Sequence, residues 1–340
     1  MQGRTDALTL PARHGRWVAG LLATVLLGSA AFARCSLERI ASLPVDVTGN
    51  RPMIAGEYAG RPVKLVIDTG ATMSYATQTG AARLGLAVEA APGYEVYGAG
   101  GKERMGSTWI GSLAFGQLRI RHVQMAVIRL QPAPLDETPD FVIGQDVFTR
   151  YAMELDFPDG KLRLWQPHDC APAQIVYWTQ NYSMAKLVDA RSDAPAIRAT
   201  VLLDGKPVTA TFDTGAPTSW ITRRVLDALN IPTEAIDRHP YVVPGMNGQP
   251  IHGEMVTLGT LALGDNETVR NVKLRVGHLF ARDQRSTMDS RIPRRLSGLP
   301  RMLIGSDFFR SHRVMVWFHA SRMFFSYQGG PIFQTIASPR

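Results

Sequence analysis

Cysteine is nearly absent from the chain: two occur among 340 residues, Cys35 and Cys170. A dense disulfide scaffold and a multi-cysteine zinc site are thereby excluded. Eight histidines are present but scattered, with no His-x-x-x-His pair, so no metal centre is expected. No apolar stretch reaches the roughly 20 residues that a membrane-spanning helix needs. Charge is modest at 19% of residues, and no basic stripe or recognition motif points to nucleic acid. No serine or cysteine sits in a recognisable nucleophile elbow.

With 45% hydrophobic residues the chain can bury a substantial core, and its composition is not that of a disordered polymer. Its first 33 residues read as an export signal. Arg4, Arg13 and Arg16 precede the apolar run Trp17–Leu27, and Ala31-Phe32-Ala33 supplies the small residues of a cleavage site. An uncleaved anchor is the alternative, and Arg34 before Cys35 fits a lipid-attachment box poorly. A periplasmic or secreted location is expected. The formal charge of +8 becomes +6 without residues 1–33, which carry three arginines and one aspartate. The densest positive cluster, Arg282, Arg285, Arg291, Arg294, Arg295 and Arg301, has the composition of a surface loop.

The most informative feature is internal repetition. Gly60-Arg61-Pro62-Val63-Lys64-Leu65-Val66-Ile67-Asp68-Thr69-Gly70-Ala71 returns 145 residues later as Gly205-Lys206-Pro207-Val208-Thr209-Ala210-Thr211-Phe212-Asp213-Thr214-Gly215-Ala216. Tyr75, Leu84 and Leu86 then meet Trp220, Leu229 and Ile231. Ile110–Gly116 matches Leu258–Gly264 at an offset of 148, and Val142–Phe148 matches Leu303–Phe309 at 161. Most of the drift falls between Leu279 and Pro300, where the first copy carries the shorter segment with Asp136-Glu137.

Each copy reads as mainly β. Val63–Ile67 and Val208–Phe212 are short β-rich runs entered through Ala-Gly and Asp-Gly turns. Thr77–Leu84 and Thr222–Leu229 read as short helices, the first weakened by Gly80. Further strands are expected at 117–129, 153–157, 162–165, 269–276, 315–318 and 323–327. The first module should span 34–172 and the second 186–330, with a boundary near 172–186 and a loose tail from 331. A Cys35–Cys170 bridge would tie the two ends of the first module in an oxidising compartment; two free thiols are the alternative.

The paired motifs resemble those of retropepsin-like and pepsin-like aspartic peptidases. Their marks are Asp-Thr-Gly-Ala after a strand and a later apolar-apolar-Gly segment. Here these are Asp68-Thr69-Gly70-Ala71 with Val142-Ile143-Gly144, and Asp213-Thr214-Gly215-Ala216 with Leu303-Ile304-Gly305. The Gly-x-Asp extensions at Asp146 and Asp307 are similar to those of bacterial retropepsin-like proteins. The resemblance covers nearly all of residues 50–328 and implies an all-β protein of two pseudo-symmetric lobes, like a retroviral dimer fused into one chain. It implies that Asp68 and Asp213 form a catalytic dyad, hydrolysing peptide bonds with no metal, cofactor or covalent intermediate. Two close carboxylates share a proton, so one can activate water while the other protonates the substrate carbonyl.

Supporting roles are implied for Thr69 and Thr214 as a cross-brace, for Gly70 and Gly215 as room for backbone approach, and for Gly144 and Gly305 behind the loops. Ala71 and Ala216 stand where pepsins often carry a hydroxyl donor, which predicts activity at milder pH. Candidate flaps are Tyr97-Gly98-Ala99-Gly100-Gly101 and Pro244-Gly245-Met246-Asn247-Gly248, with ordinary hairpin turns as the alternative. Tyr94 and Tyr97 are candidates for lining a pocket or for simple packing. Since one chain supplies both halves, a monomer acting on peptides or proteins is expected, with a non-hydrolytic peptide-binding protein as the competing function.

Overall fold

The apolar runs of each repeat are too short for helices and rich in β-branched residues, and they assemble into two sheets of the same topology. A computed structural model describes residues 34–99, 101–130, 138–192, 195–230, 236–245, 250–279 and 300–333. In chain order the strands are β1 Ser36–Pro44, β2 Met53–Tyr58, β3 Arg61–Ile67, β4 Tyr75–Thr77, β5 Glu89–Gly98, β6 Gly101–Phe115, β7 Leu118–Ile128, β8 Phe141–Ile143, β9 Ala152–Asp156 and β10 Lys161–His168. The chain continues through β11 Ser183–Lys186, β12 Arg198–Leu203, β13 Lys206–Phe212, β14 Trp220–Thr222, β15 Ile236–Pro244, β16 Pro250–Leu263, β17 Glu267–Gly277, β18 Met302–Ile304, β19 His312–Trp317 and β20 Arg322–Tyr327.

The first lobe orders its strands β2-β3-β8-β4-β7-β6-β5, and the second orders them β12-β13-β18-β14-β17-β16-β15. The two orders correspond strand for strand, so the fold is mainly β with two similar lobes. The hairpins that open them turn through Ala59-Gly60 and Asp204-Gly205, all four residues at positive φ, matching the twist of the flanking strands. Helix α1 (Gln78–Leu84) follows β4 and is capped by Thr77 Oγ1, which accepts from the Gly80 N–H at 2.9 Å. Helix α3 (Arg223–Leu229) takes the same place after β14, and the one-turn helices α2 (Gln145–Phe148) and α4 (Ser306–Phe309) follow β8 and β18.

A third sheet, β1-β10-β9-β19-β20-β11, draws strands from both halves of the chain and joins them antiparallel at β9 and β19, where Glu154 lies opposite Met315 and Asp156 opposite Arg313. Glu154 is fully buried here. It accepts from Arg163, from Arg313 Nε at 2.9 Å, from Trp165 Nε1 at 2.7 Å and from the Tyr177 hydroxyl at 2.8 Å. Asp156 shares Arg163 at 2.9 Å. Two acids and two arginines thus satisfy one another within an otherwise apolar joint, as buried charges must. The Cys35–Cys170 disulfide fastens β1 just beyond the far end of β10.

Several elements differ from their sequence reading. Segment 172–186, the expected boundary between the modules, is packed: Ile175 and Val176 are buried against the shared sheet, and Ser183–Lys186 forms β11 against β20. The strand expected at 315–318 is β19, which begins at His312; Phe318 instead opens a 3-10 turn to Ala320. The loose tail does not begin at 331, because Phe333 is buried beside Phe308. The proposed signal 1–33, residues 282–299 of the arginine cluster and Asp136-Glu137 lie outside the described residues. Among the described residues no helix is long and apolar enough to cross a membrane.

Candidate active site

Strand β3 ends at Ile67 and β13 at Phe212, and each delivers the next residue, an aspartate, to a loop between the two lobes. Strands β8 and β18 run behind these loops: the Asp68 N–H donates to Ile143 O at 3.0 Å and the Asp213 N–H to Ile304 O at 2.8 Å. The loops then lock across the pseudo-dyad. Thr69 N–H donates to Thr214 Oγ1 at 3.1 Å, and Thr214 N–H to Thr69 Oγ1 at 2.9 Å. Each hydroxyl in turn donates to the opposite strand, Thr69 to Phe212 O at 2.9 Å and Thr214 to Ile67 O at 2.7 Å.

This brace brings the carboxyls of Asp68 and Asp213 into hydrogen-bonding contact. Gly70 lies directly under the Asp213 carboxyl and Gly215 under that of Asp68, and a Cβ at either glycine would collide with the opposite carboxylate. Asp68 Oδ1 accepts from the N–H groups of Gly70 and Ala71, both at 2.9 Å. Asp213 Oδ1 accepts from Gly215 N–H at 2.8 Å, with Ala216 N–H as a further donor.

Burial raises both carboxyl pKa values. That of Asp213 is pushed well above the usual carboxylate range, first by burial and then by the neighbouring Asp68 charge. Asp68 rises less, because backbone donors and its hydrogen bond with Asp213 favour the charged form. Two coupled carboxyls whose pKa values are both raised share a proton and titrate as one unit.

A second layer supports each loop. Ser74 donates through N–H and Oγ to Asp146 at 2.9 and 2.7 Å, and its Oγ accepts from Gly144 N–H at 3.0 Å. Ser219, Asp307 and Gly305 repeat this at 2.9, 2.6 and 2.9 Å. Gln145 Nε2 and Ser306 Oγ donate to the carbonyls of Thr69 and Thr214. The second copy alone adds a buried arginine: Arg275 donates to Thr218 and lies against the Trp220 ring at 5.8 Å. Burial raises the Asp307 carboxyl to about 6, against the lowering by its hydrogen bonds with Ser219 and, after them, by the Arg275 charge.

A sequence model of the aspartyl protease family matches residues 54–147 and 199–308. The chain belongs to the aspartyl protease family. Each matched stretch covers one lobe sheet in most of its extent and one Asp-Thr-Gly loop. No curated protein matches the chain.

Other site residues of this aspartyl protease distribute unevenly. Tyr97, Gly98 and Gly101 sit at the tip of the β5–β6 hairpin, where Gly98 pairs with Gly101; Gly100 lies outside the described residues. Ala99 at that tip packs against the cluster of Trp220, Ile251, Leu279 and Leu303 in the other lobe. Tyr94 and Tyr97 are exposed. In the second lobe Gly245 is buried after β15, while Met246 and Gly248 lie outside the described residues. Among the described residues no three His, Cys, Asp or Glu side chains gather as metal ligands.

The sequence reading missed the serines and the positions after each Gly. Their signal was present, since Ser74 and Ser219 are six residues beyond Asp68 and Asp213 in both copies.

Proposed function

We propose that this aspartyl protease is an endopeptidase in which Asp68 and Asp213 activate a water between them. The observation that carries the reading is the hydrogen-bonded carboxyl pair held between the lobes by the reciprocal Thr69–Thr214 brace. Asp68, the more readily ionised member, takes a proton from the water as its oxygen attacks the peptide carbonyl. Asp213, which holds the shared proton, donates it to the carbonyl oxygen. Collapse of the tetrahedral intermediate then passes a proton to the departing amine. Raised pKa values in both carboxyls favour activity in mildly acidic solution, with an optimum between about pH 4 and 6.5.

The β5–β6 hairpin serves as a flap over the cleft. Its tip residue Ala99 reaches the opposite lobe, an arrangement that would exclude water once a peptide is bound. The β15–β16 hairpin, whose first strand runs into Gly245, is the matching flap of the second lobe. The protein acts as a monomer, since both aspartates lie in one chain. A disulfide is stable in an oxidising compartment, so Cys35–Cys170 supports action in the periplasm or outside the cell, after removal of residues 1–33.

Turnover of a random peptide library by the parent chain and by Asp213→Asn tests the mechanism. Cleavage by the parent and its loss in a folded variant are expected. Peptide binding without cleavage by the parent from pH 3 to 8 would instead make this a binding protein with a peptidase fold.

A further inference from the structure

Seven residues beyond each catalytic aspartate stands an aromatic residue, Tyr75 on β4 and Trp220 on β14. Tyr75 is clustered with Val66, Ile128 and Val142, and Ala71 of the Asp-Thr-Gly loop and Val96 of the β5–β6 hairpin pack against that cluster. Trp220 is clustered with Ile251, Leu279 and Leu303, and Ala216 of the Asp-Thr-Gly loop, Ala99 of the β5–β6 hairpin and Val243 of the β15–β16 hairpin pack against that cluster. Each ring therefore belongs to an apolar cluster that takes in both the residue three beyond its aspartate and a residue of a hairpin, and only 8% of Tyr75 and 5% of Trp220 remains exposed. Burial first, and then the charges of Asp68 and Asp213, raise the Tyr75 hydroxyl pKa, so the ring lies within electrostatic reach of both carboxyls.

The two walls reach this state by different residues. Met105 pairs with Ile128 in the first lobe; Gly253 pairs with Gly277 at the corresponding place in the second. A Cβ on Gly253 or Gly277 would come within 2.8 or 2.9 Å of the Trp220 ring. One lobe thus sets a smaller ring beside two large side chains, and the other sets a larger ring onto two glycines. Such an exchange conserves volume, and both walls end filled.

We propose that, if the site is a peptidase, Tyr75 and Trp220 determine its specificity by plugging both cleft walls, so that substrates are extended segments carrying Gly, Ala or Ser where a side chain meets either wall. An extended peptide turns successive side chains to opposite faces, so the requirement falls on one position on each side of the scissile bond. Intervening positions remain free to be large.

The test is a randomised peptide library digested by the full chain, with cleavage sites read by mass spectrometry. The parent should require a small residue at one position on each side of the cut. Trp220→Ala should relax one of these positions and Tyr75→Ala the other, each raising the relative kcat/KM for Leu or Phe there about tenfold or more. Trp220→Leu and Tyr75→Leu, which leave smaller cavities, should give partial shifts at the same positions if the alanine variants do not fold. Tyr75→Phe keeps the bulk and should keep the parental profile. A parent that accepts Leu or Phe at every position near the cut overturns the specificity claim while leaving the peptidase reading intact. So do folded variants with an unchanged profile. A parent that cuts no peptide removes the peptidase reading, and this inference with it.

Discussion

The hydroxyls of Thr69 and Thr214 each accept the other residue's backbone N–H and donate to the opposite strand, so four hydrogen bonds cross the centre of the molecule through two fully buried side chains. Replacing either with alanine strands two backbone N–H or C=O partners in a site closed to water. Thr214→Ala is expected to cost about 2–4 kcal/mol of stability, and to lower turnover by disturbing the carboxyl pair. Thr214→Ser keeps the hydroxyl and should recover most of both. Chemical denaturation alongside peptide turnover checks this, and an alanine variant as stable as the parent would contradict it.

Asp68→Asn and Asp213→Asn should each reduce peptide hydrolysis by at least about 10²–10⁴, and the double variant should lose little more, because the two carboxyls act in one proton cycle. Both single variants should fold, since asparagine is nearly isosteric and removes like-charge repulsion. Near-parental turnover by a folded Asp213→Asn protein would rule the paired mechanism out.

Stability should fall as the pH rises from 4 to 7. Asp307, at about 6 in the folded protein against about 3.9 in an unfolded chain, keeps a proton that the unfolded chain has already released. Its contribution is therefore complete below about pH 4 and is lost as pH passes 6; Asp68 and Asp213 shift in the same direction. The Asp307 share is on the order of 3 kcal/mol at most. Thermal melts of Asp307→Asn across pH 4–7 should show a shallower slope than the parent, and an identical slope would refute this assignment.

Glu154→Gln leaves Arg163 and Arg313 with Asp156 alone inside the joint between β9 and β19. Breaking such a buried network from one side costs about 3–5 kcal/mol, measurable as a lowered midpoint of urea unfolding. A combined replacement of the acids and arginines by apolar residues should be much milder than the single change.

Cys35→Ser with Cys170→Ser should also lower stability, by up to about 4–5 kcal/mol on chain entropy across a separation of 135 residues. Because β1 keeps its ladder with β10, the loss should appear as earlier exchange of β1 amides rather than as a changed fold.

Much of this was legible from residue order alone. A repeat that places Asp-Thr-Gly after an apolar strand twice determines two like sheets and a pair of equivalent loops, because strand propensity, Ala-Gly and Asp-Gly turns and the close approach at Gly70 and Gly215 are local properties. Sequence could not say that both carboxyl pKa values rise. That follows from three-dimensional burial, opposed by the backbone N–H groups that face each carboxyl. Nor could it reveal the third sheet: β1, β9, β10, β11, β19 and β20 come from distant parts of the chain, and only their pairing makes Glu154, Arg163 and Arg313 neighbours. The surroundings of the two rings were decided in the same way. Tyr75 and Trp220 stand at equivalent positions in the repeat, but the glycines that admit the larger ring lie 33 and 57 residues beyond it and meet it only when β14, β16 and β17 share a sheet.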